Sequence, residues 1–207
     1  MENNFIYLDN ASTTPLSENV LNIINSTYRN YWHNPSSTYE LGIKCSTYLE
    51  KIRSKIAYIF EADPEDIIFT SGSSESTNIV FNNIYEKFKN GRVVISNVEH
   101  QATTICANKL RKQNWDIYEW TVNNDGILNI SNIEKFLNND TKLVSIIWGQ
   151  SEIGTIQPVQ FIGSKCEELN IMFHLDGTQI LSNGIFSWKD LKCDFLSLSA
   201  HKFGGPK

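Results

Sequence analysis

The 207-residue chain carries 18 Lys and Arg against 23 Asp and Glu, a net charge of -5, with 41% hydrophobic and 20% charged residues. That balance suits one large globular core, or one core with a small appendage, and argues against a polyanion-binding surface, so no nucleic-acid partner is expected. No window approaches the roughly 18 to 20 apolar residues that span a bilayer, and the first residues lack the basic and apolar regions of a secretory leader. No membrane partner and a cytoplasmic location are the expectation.

In chain order, an extended start gives way at Pro15 to a predicted helix over residues 15–28. The loop His33-Asn34-Pro35-Ser36-Ser37 leads to a long helix over 41–60, where Leu41, Cys45, Tyr48, Ile52, Ile56 and Ile59 recur at helical spacing. From there the chain alternates. Strands are predicted at 66–70, 92–96, 117–121, 142–148, 171–175 and 194–199, with helices at 74–90, 101–113, 131–138 and 159–168. Ser131 and Glu134 read as a capping box, and Asn124-Asp125-Gly126 as a tight turn before it. The alternation predicts an α/β fold with a mostly parallel central sheet flanked by helices. Such sheets bind ligands at the carboxyl ends of their strands.

Those strand ends hold the chemistry. The 66–70 run enters Ser71-Gly72-Ser73-Ser74-Glu75-Ser76, a small turn opening a helix, where free N–H groups and the Ser73 and Ser74 hydroxyls suit a phosphate. No GxxxxGK[ST] spacing is present, so this is not a P-loop. Further on, His174-Leu175-Asp176-Gly177-Thr178-Gln179 places an acid at one strand end, and Ser199-Ala200-His201-Lys202 places a lysine at the next. A lysine amine that condenses with an aldehyde, beside a carboxylate that keeps a pyridine nitrogen protonated, is the pairing pyridoxal 5'-phosphate (PLP) chemistry needs. Ser199 and His201 can add phosphate donors, and His100, at a third strand end, can stack on the pyridine and shuttle protons. The glycine-rich run Lys202-Phe203-Gly204-Gly205-Pro206 keeps the lysine backbone close to such a cofactor. Cys45, Cys106 and Cys166 fall on apolar helical faces, Cys193 lies between Lys192 and Asp194, and no CxxC pair supports a disulfide framework or a metal site.

Seven segments occur in the order seen in cysteine desulfurases of the NifS/IscS type, of the class V aminotransferase group. They are Tyr7-Leu8-Asp9-Asn10-Ala11-Ser12-Thr13-Thr14, Asn34-Pro35-Ser36-Ser37, Phe69 to Asn78, Glu99-His100, Glu152-Ile153-Gly154-Thr155, His174 to Gln179, and Ser199-Ala200-His201-Lys202. The chain therefore resembles that family over essentially its whole length, and the resemblance implies the fold type I architecture of PLP enzymes. It implies that Lys202 carries the cofactor and acts as acid and base, that Asp176 pairs with the pyridine nitrogen and that His100 stacks on the ring. Gln179 would approach the phenolic oxygen, Ser73, Ser74, Ser199 and His201 would hold the phosphate, and Asn34 would lie near the substrate carboxylate.

Three departures accompany the resemblance. Gln150-Ser151 stands where the family has Asn-Asn, giving Ser151 a shorter reach to the ring, and Tyr39 replaces a frequent His. The chain ends five residues after Lys202, whereas the family continues, so a truncated fold is expected: an arm over 1–14 belonging partly to a small domain, and an incomplete PLP-binding domain over 15–207. The implied activity converts L-cysteine to L-alanine and passes sulfur to an acceptor or iron–sulfur scaffold protein, the full-length form being a homodimer. Alternatives are another class V enzyme, such as a selenocysteine lyase or an aminotransferase, and a non-catalytic truncated or split chain.

Overall fold

The computed structural model describes residues 6–184 and 186–207; residues 1–5 of the expected arm lie outside the described residues. Five parallel strands form one sheet in the order β2-β1-β3-β4-β5. They are β1 (Arg92–Ser96), β2 (Asp116–Trp120), β3 (Thr141–Ile147), β4 (Met172–Asp176) and β5 (Phe195–Ser197). The central three are near-continuous apolar runs because both faces of a parallel sheet are covered. On one face Val93, Ile95 and Leu143 meet Val80, Phe81 and Ile84 of helix α3 (Ser73–Lys87) and Cys106, Ala107 and Leu110 of α4 (Gln101–Arg111). On the other, Val94, Val144, Ile146, Phe173 and Leu175 meet Val159, Ile162 and Cys166 of α5 (Val159–Glu168), with Trp120, Ile133 and Phe136. Each fully buried aliphatic or aromatic side chain there contributes about 1.5–3 kcal/mol, so this three-layer core holds the strand ends in place.

The expected strands 92–96, 117–121, 142–148, 171–175 and 194–199 all form, with small shifts at their ends. The strand expected at 66–70 does not. Pro64–Asp66 is a 3-10 helix, and residues 67–70 join no ladder among the described residues. Ile67, Ile68 and Phe69 have strand-like composition, but a strand exists only as half of a pair. Ile68 is 69% exposed, and the Arg53 guanidinium donates to the Ile67 carbonyl and stands 4.8 Å from the centre of the Phe69 ring.

The helix expected at 131–138 is a 3-10 helix, Ile130–Lys135, and the Ser131–Glu134 capping box is absent. Asn129 caps instead, its Oδ1 accepting from Ser131 N at 3.1 Å. The preceding turn forms as expected, with Gly126 at φ +75° and Asn123 Oδ1 accepting from Asp125 and Ile127 N–H groups. A four-residue helix, Trp188–Leu191, escaped the periodicity because one turn is too short to show it.

Two helices precede the sheet. In α1 (Glu18–Asn30), Ser17 caps the first turn and Glu18 and Arg29 complement the helix dipole; none of its residues is buried. In α2 (Glu40–Phe60) only Gly42, Cys45 and Ala57 are buried. The expected stripe on α2 thus buries Cys45 but leaves Leu41 and Ile59 exposed, because no described segment covers that side. Among the described residues no helix is long and apolar enough to cross a membrane.

Candidate active site

The chain runs from β1 to β2 on one side and then returns to β3 on the other, so the sheet has a switch point between β1 and β3. Neighbouring loops diverge there and leave a crevice. A cavity of about 270 Å³ opens at these carboxyl ends, lined by Ser73, Ser74, His100, Ser151, Asp176, Gln179, Ser199, His201 and Lys202, together with Ser12, Ile147, Gly149 and Thr178. Each cofactor-contacting residue expected from the sequence therefore stands on its wall. Asn34 does not: it folds into an Asx turn, its Oδ1 accepting from Ser36 N at 2.9 Å, in the loop before α2.

Local rules position each group. Gly72, at φ +148°, turns the chain so that Ser73 begins α3, and the Ser73 N–H donates to Ser199 Oγ at 2.9 Å. That bond ties the start of α3 to the segment carrying the lysine. Glu75 reaches back to the Ser71 N–H, which holds its carboxyl below the usual carboxylate range. Asp176 is the buried last residue of β4; its Oδ1 accepts from Thr178 N at 3.0 Å. His100 caps α4, its Nδ1 accepting from Ala102 N at 3.2 Å, so the neutral ring carries its proton on Nε2.

The lysine end is held by the arm. Thr14 N and Thr14 Oγ1 both donate to the His201 carbonyl at 2.9 Å, and Gly204 N donates to Thr14 Oγ1 at 2.7 Å. His201 Nδ1 pairs with Thr13 Oγ1 at 3.0 Å, which leaves Nε2 as its other polar atom. Burial, and then the charges of Lys202 and Lys207, lower the His201 pKa. Lys202 Nζ and Gln179 Nε2 donate to the same Ala11 carbonyl. In the loop after β3, hydrogen bonds from Ser151 and Gln150 lower the pKa of Glu152.

Two further groups, His174 and the half-buried Glu99, fall in segments that carry the resemblance, yet the sequence assigns neither a role. His174, fully buried, joins Ser145 Oγ through Nδ1 and Ser197 Oγ through Nε2, both at 2.8 Å, and so laces β3, β4 and β5 together; desolvation lowers its pKa to about 4. Glu99 accepts at Oε1 from Ser96 Oγ at 2.5 Å and from Ile147 N at 2.7 Å.

The walls suit PLP. Thr178 Oγ1 is buried with no partner among the described residues, an atom a ligand would satisfy. The α3 start offers N–H groups and hydroxyls for a dianion, and a lysine amine and a buried carboxylate share the cavity. All four cysteines are free and buried, and burial raises the thiols of Cys166 and Cys193 to about 12. Cys193, ambiguous by sequence, is therefore a core residue like the others.

A lysine and a buried acid thus stand at adjacent strand ends of an α/β sheet, and the sequence matches the aminotransferase class-V family over residues 6–207. The chain belongs to that family. It is 36% identical over 206 residues to a mitochondrial cysteine desulfurase of Candida maltosa, covering 98% of this chain and 42% of that protein. It is 36% identical over 204 residues to the cysteine desulfurase IscS of Dictyoglomus turgidum, covering 98% of this chain and 52% of that one. A solved NifS-like protein superposes with a TM-score of 0.94 at 32% identity, over 98% of this chain and 56% of that chain. The chain thus spans about half the length of the curated relatives it matches.

Proposed function

We propose that the chain forms the PLP-binding part of a cysteine desulfurase, in which L-cysteine gives L-alanine and sulfur for an acceptor or iron–sulfur scaffold protein. The observation that carries this reading is the convergence of Lys202, Asp176, His100 and the Ser73–Ser199 pair on one cavity from separate strand-end loops. The names of the similar proteins support the choice of cysteine as substrate.

When bound, PLP supplies an electron sink for charge developing on an amino-acid substrate. Lys202 Nζ would be its covalent anchor and the amine that carries a proton to and from the substrate. Asp176 keeps one oxygen on Thr178 N, and its other oxygen would pair with the pyridine nitrogen. His100 would stack on the ring, and Gln179, whose amide donates to the Ala11 carbonyl, would approach the phenolic oxygen. Ser73, Ser74, Ser199 and His201 would bind the phosphate. Ser151, shorter than the usual Asn, would reach the ring through water.

A nucleophile that takes sulfur has to be exposed and readily ionised. All four cysteines are buried, so on this reading none of them is the sulfur-accepting thiol. Four unpaired cysteines fit a reducing compartment such as the cytoplasm. The exposed apolar residues of α1 and α2 fit burial against a second subunit, as in a homodimer.

Titrating the protein with PLP tests the assignment. A visible absorption band should appear in the wild type and be missing in Lys202→Ala. A protein that stays colourless, or a band indifferent to that substitution, would sink it. L-Cysteine added to this chain alone should yield neither alanine nor persulfide.

A further inference from the structure

Glu99 sits at the switch point of the sheet, between the carboxyl ends of β1 and β3. At the switch point the loops after β1 and β3 part, and no crossover covers the gap. Glu99 lies in the loop after β1, one residue before His100, and its Oε1 accepts at once from Ser96 at the end of β1 and from the backbone N–H of Ile147 at the end of β3. Ile147 lines the cavity and is the register partner of Asp176 on β4. One carboxyl oxygen therefore joins two strand ends, and the same residue precedes the imidazole that caps α4. Its other oxygen, Oε2, is buried without a partner among the described residues.

We infer that Glu99 is a positioning residue that works as a neutral carboxylic acid, closing the floor of the crevice between β1 and β3 and thereby fixing His100 and Asp176 in the cavity. It does not touch the reacting atoms. An unpaired buried charge costs far more than an unpaired hydroxyl, so the proton stays on Oε2 while Oε1 keeps both donors. The titratable groups around it are Asp176 on β4, His100 beside it, and Glu152 of the loop after β3, which with His100 and Glu99 lines a second small cavity. Two of these are acids, and a carboxylate at Asp176 opposes a second negative charge close by. Desolvation first, and the Asp176 charge in addition, raise the Glu99 pKa from 4.5 to about 8 against the pull of its hydrogen bonds.

The importance of His100 and Asp176 for a cofactor rests on the proposed PLP site, so the test begins without cofactor. In protein labelled with 13C at the Glu carboxyl carbons, one resonance, identified by its loss in Glu99→Gln, should titrate with a midpoint near 8. That midpoint should move down in Asp176→Asn. The His100 ring 15N signals should show a step that follows the Glu99 titration, lose that step in Glu99→Gln, and be displaced in Glu99→Ala. The wild-type titration needs no variant to fold. A carboxyl midpoint near 4.5, or His100 signals unmoved in Glu99→Ala, overturns the inference. With PLP added, an alkaline change in the visible band should vanish in Glu99→Gln. If the apo titration behaves as expected and the wild type does not bind PLP, Glu99 keeps its assignment and the cofactor reading fails.

Discussion

Lys202 and Ala11 meet across 191 positions of sequence: the ε-amine donates to the Ala11 carbonyl at 2.5 Å, and the arm that supplies this carbonyl is itself fastened to the His201 carbonyl through Thr14. The amine is thus parked on a neutral acceptor, with the Gln179 amide as a second donor to the same oxygen. Lys202→Ala should remove the visible band obtained with PLP while changing the urea stability of the apo protein by less than about 1 kcal/mol, since a single exposed hydrogen bond of this kind contributes little net stability. A large loss of stability would show the lysine to be structural instead.

Ser199 should matter at both levels. Its hydroxyl is the acceptor for the buried Ser73 N–H, and Ser199→Ala leaves that donor unpaired, at a cost of about 1–3 kcal/mol. Because the same bond presents the α3 start to the phosphate, PLP affinity should fall as well, by roughly tenfold for each 1.4 kcal/mol lost from the site. Urea melts with and without PLP separate the two effects.

Two titratable groups, the buried His174 and the half-buried Glu99, give the apo protein opposing pH limbs. His174 is held neutral, its pKa lowered from 6.5 to about 4. The unfolded chain therefore binds more protons across that window, and stability falls as pH falls from 6.5 to 4. Glu99 has its pKa raised from 4.5 to about 8. The folded chain holds a proton that the unfolded chain releases, so stability falls as pH rises from 4.5 to 8. Urea midpoints measured across this range should lose their acid limb in His174→Phe and their alkaline limb in Glu99→Gln. His174→Phe should also cost several kcal/mol, about 1–3 for each hydroxyl, Ser145 and Ser197, left without its partner.

The thiols give a simple check on the division of labour. With all four cysteines buried, a colorimetric disulfide reagent should react slowly with the native protein and with all four after denaturation. A fast-reacting thiol in the native state would return one of them to consideration as a sulfur acceptor.

Much of the sheet was legible because a parallel sheet covered on both faces writes its strands as short apolar runs, as in Val93-Val94-Ile95. The segment 67–70 was misread for the same reason: its composition is that of a strand, and pairing is not a local property. Lys202, Asp176 and His100 were legible because they stand at strand ends, where the fold concentrates its chemistry. Glu99 and His174 fall in segments that carry the resemblance, but their roles were not legible. Their importance comes from what lies above and beside them, Ile147 in one case and Ser145 and Ser197 in the other, and no spacing along the chain expresses a neighbour 48 or 29 residues away. Asn34 shows the converse, a motif residue whose side chain is occupied by its own turn.

The contact between the arm and the lysine has a consequence for how the molecule comes into being. A growing chain emits Ala11 191 residues before Lys202, and the walls between them come from successive strand connections. No partial chain short of Lys202 contains the anchor, so a ligand at this cavity cannot act as a template for early structure. Contacts this distant in sequence are slow to close. A ligand that binds only the finished site raises the free energy of whole-molecule unfolding, by RT ln(1 + [L]/Kd), and leaves the early steps of folding untouched. PLP should therefore slow unfolding without speeding refolding.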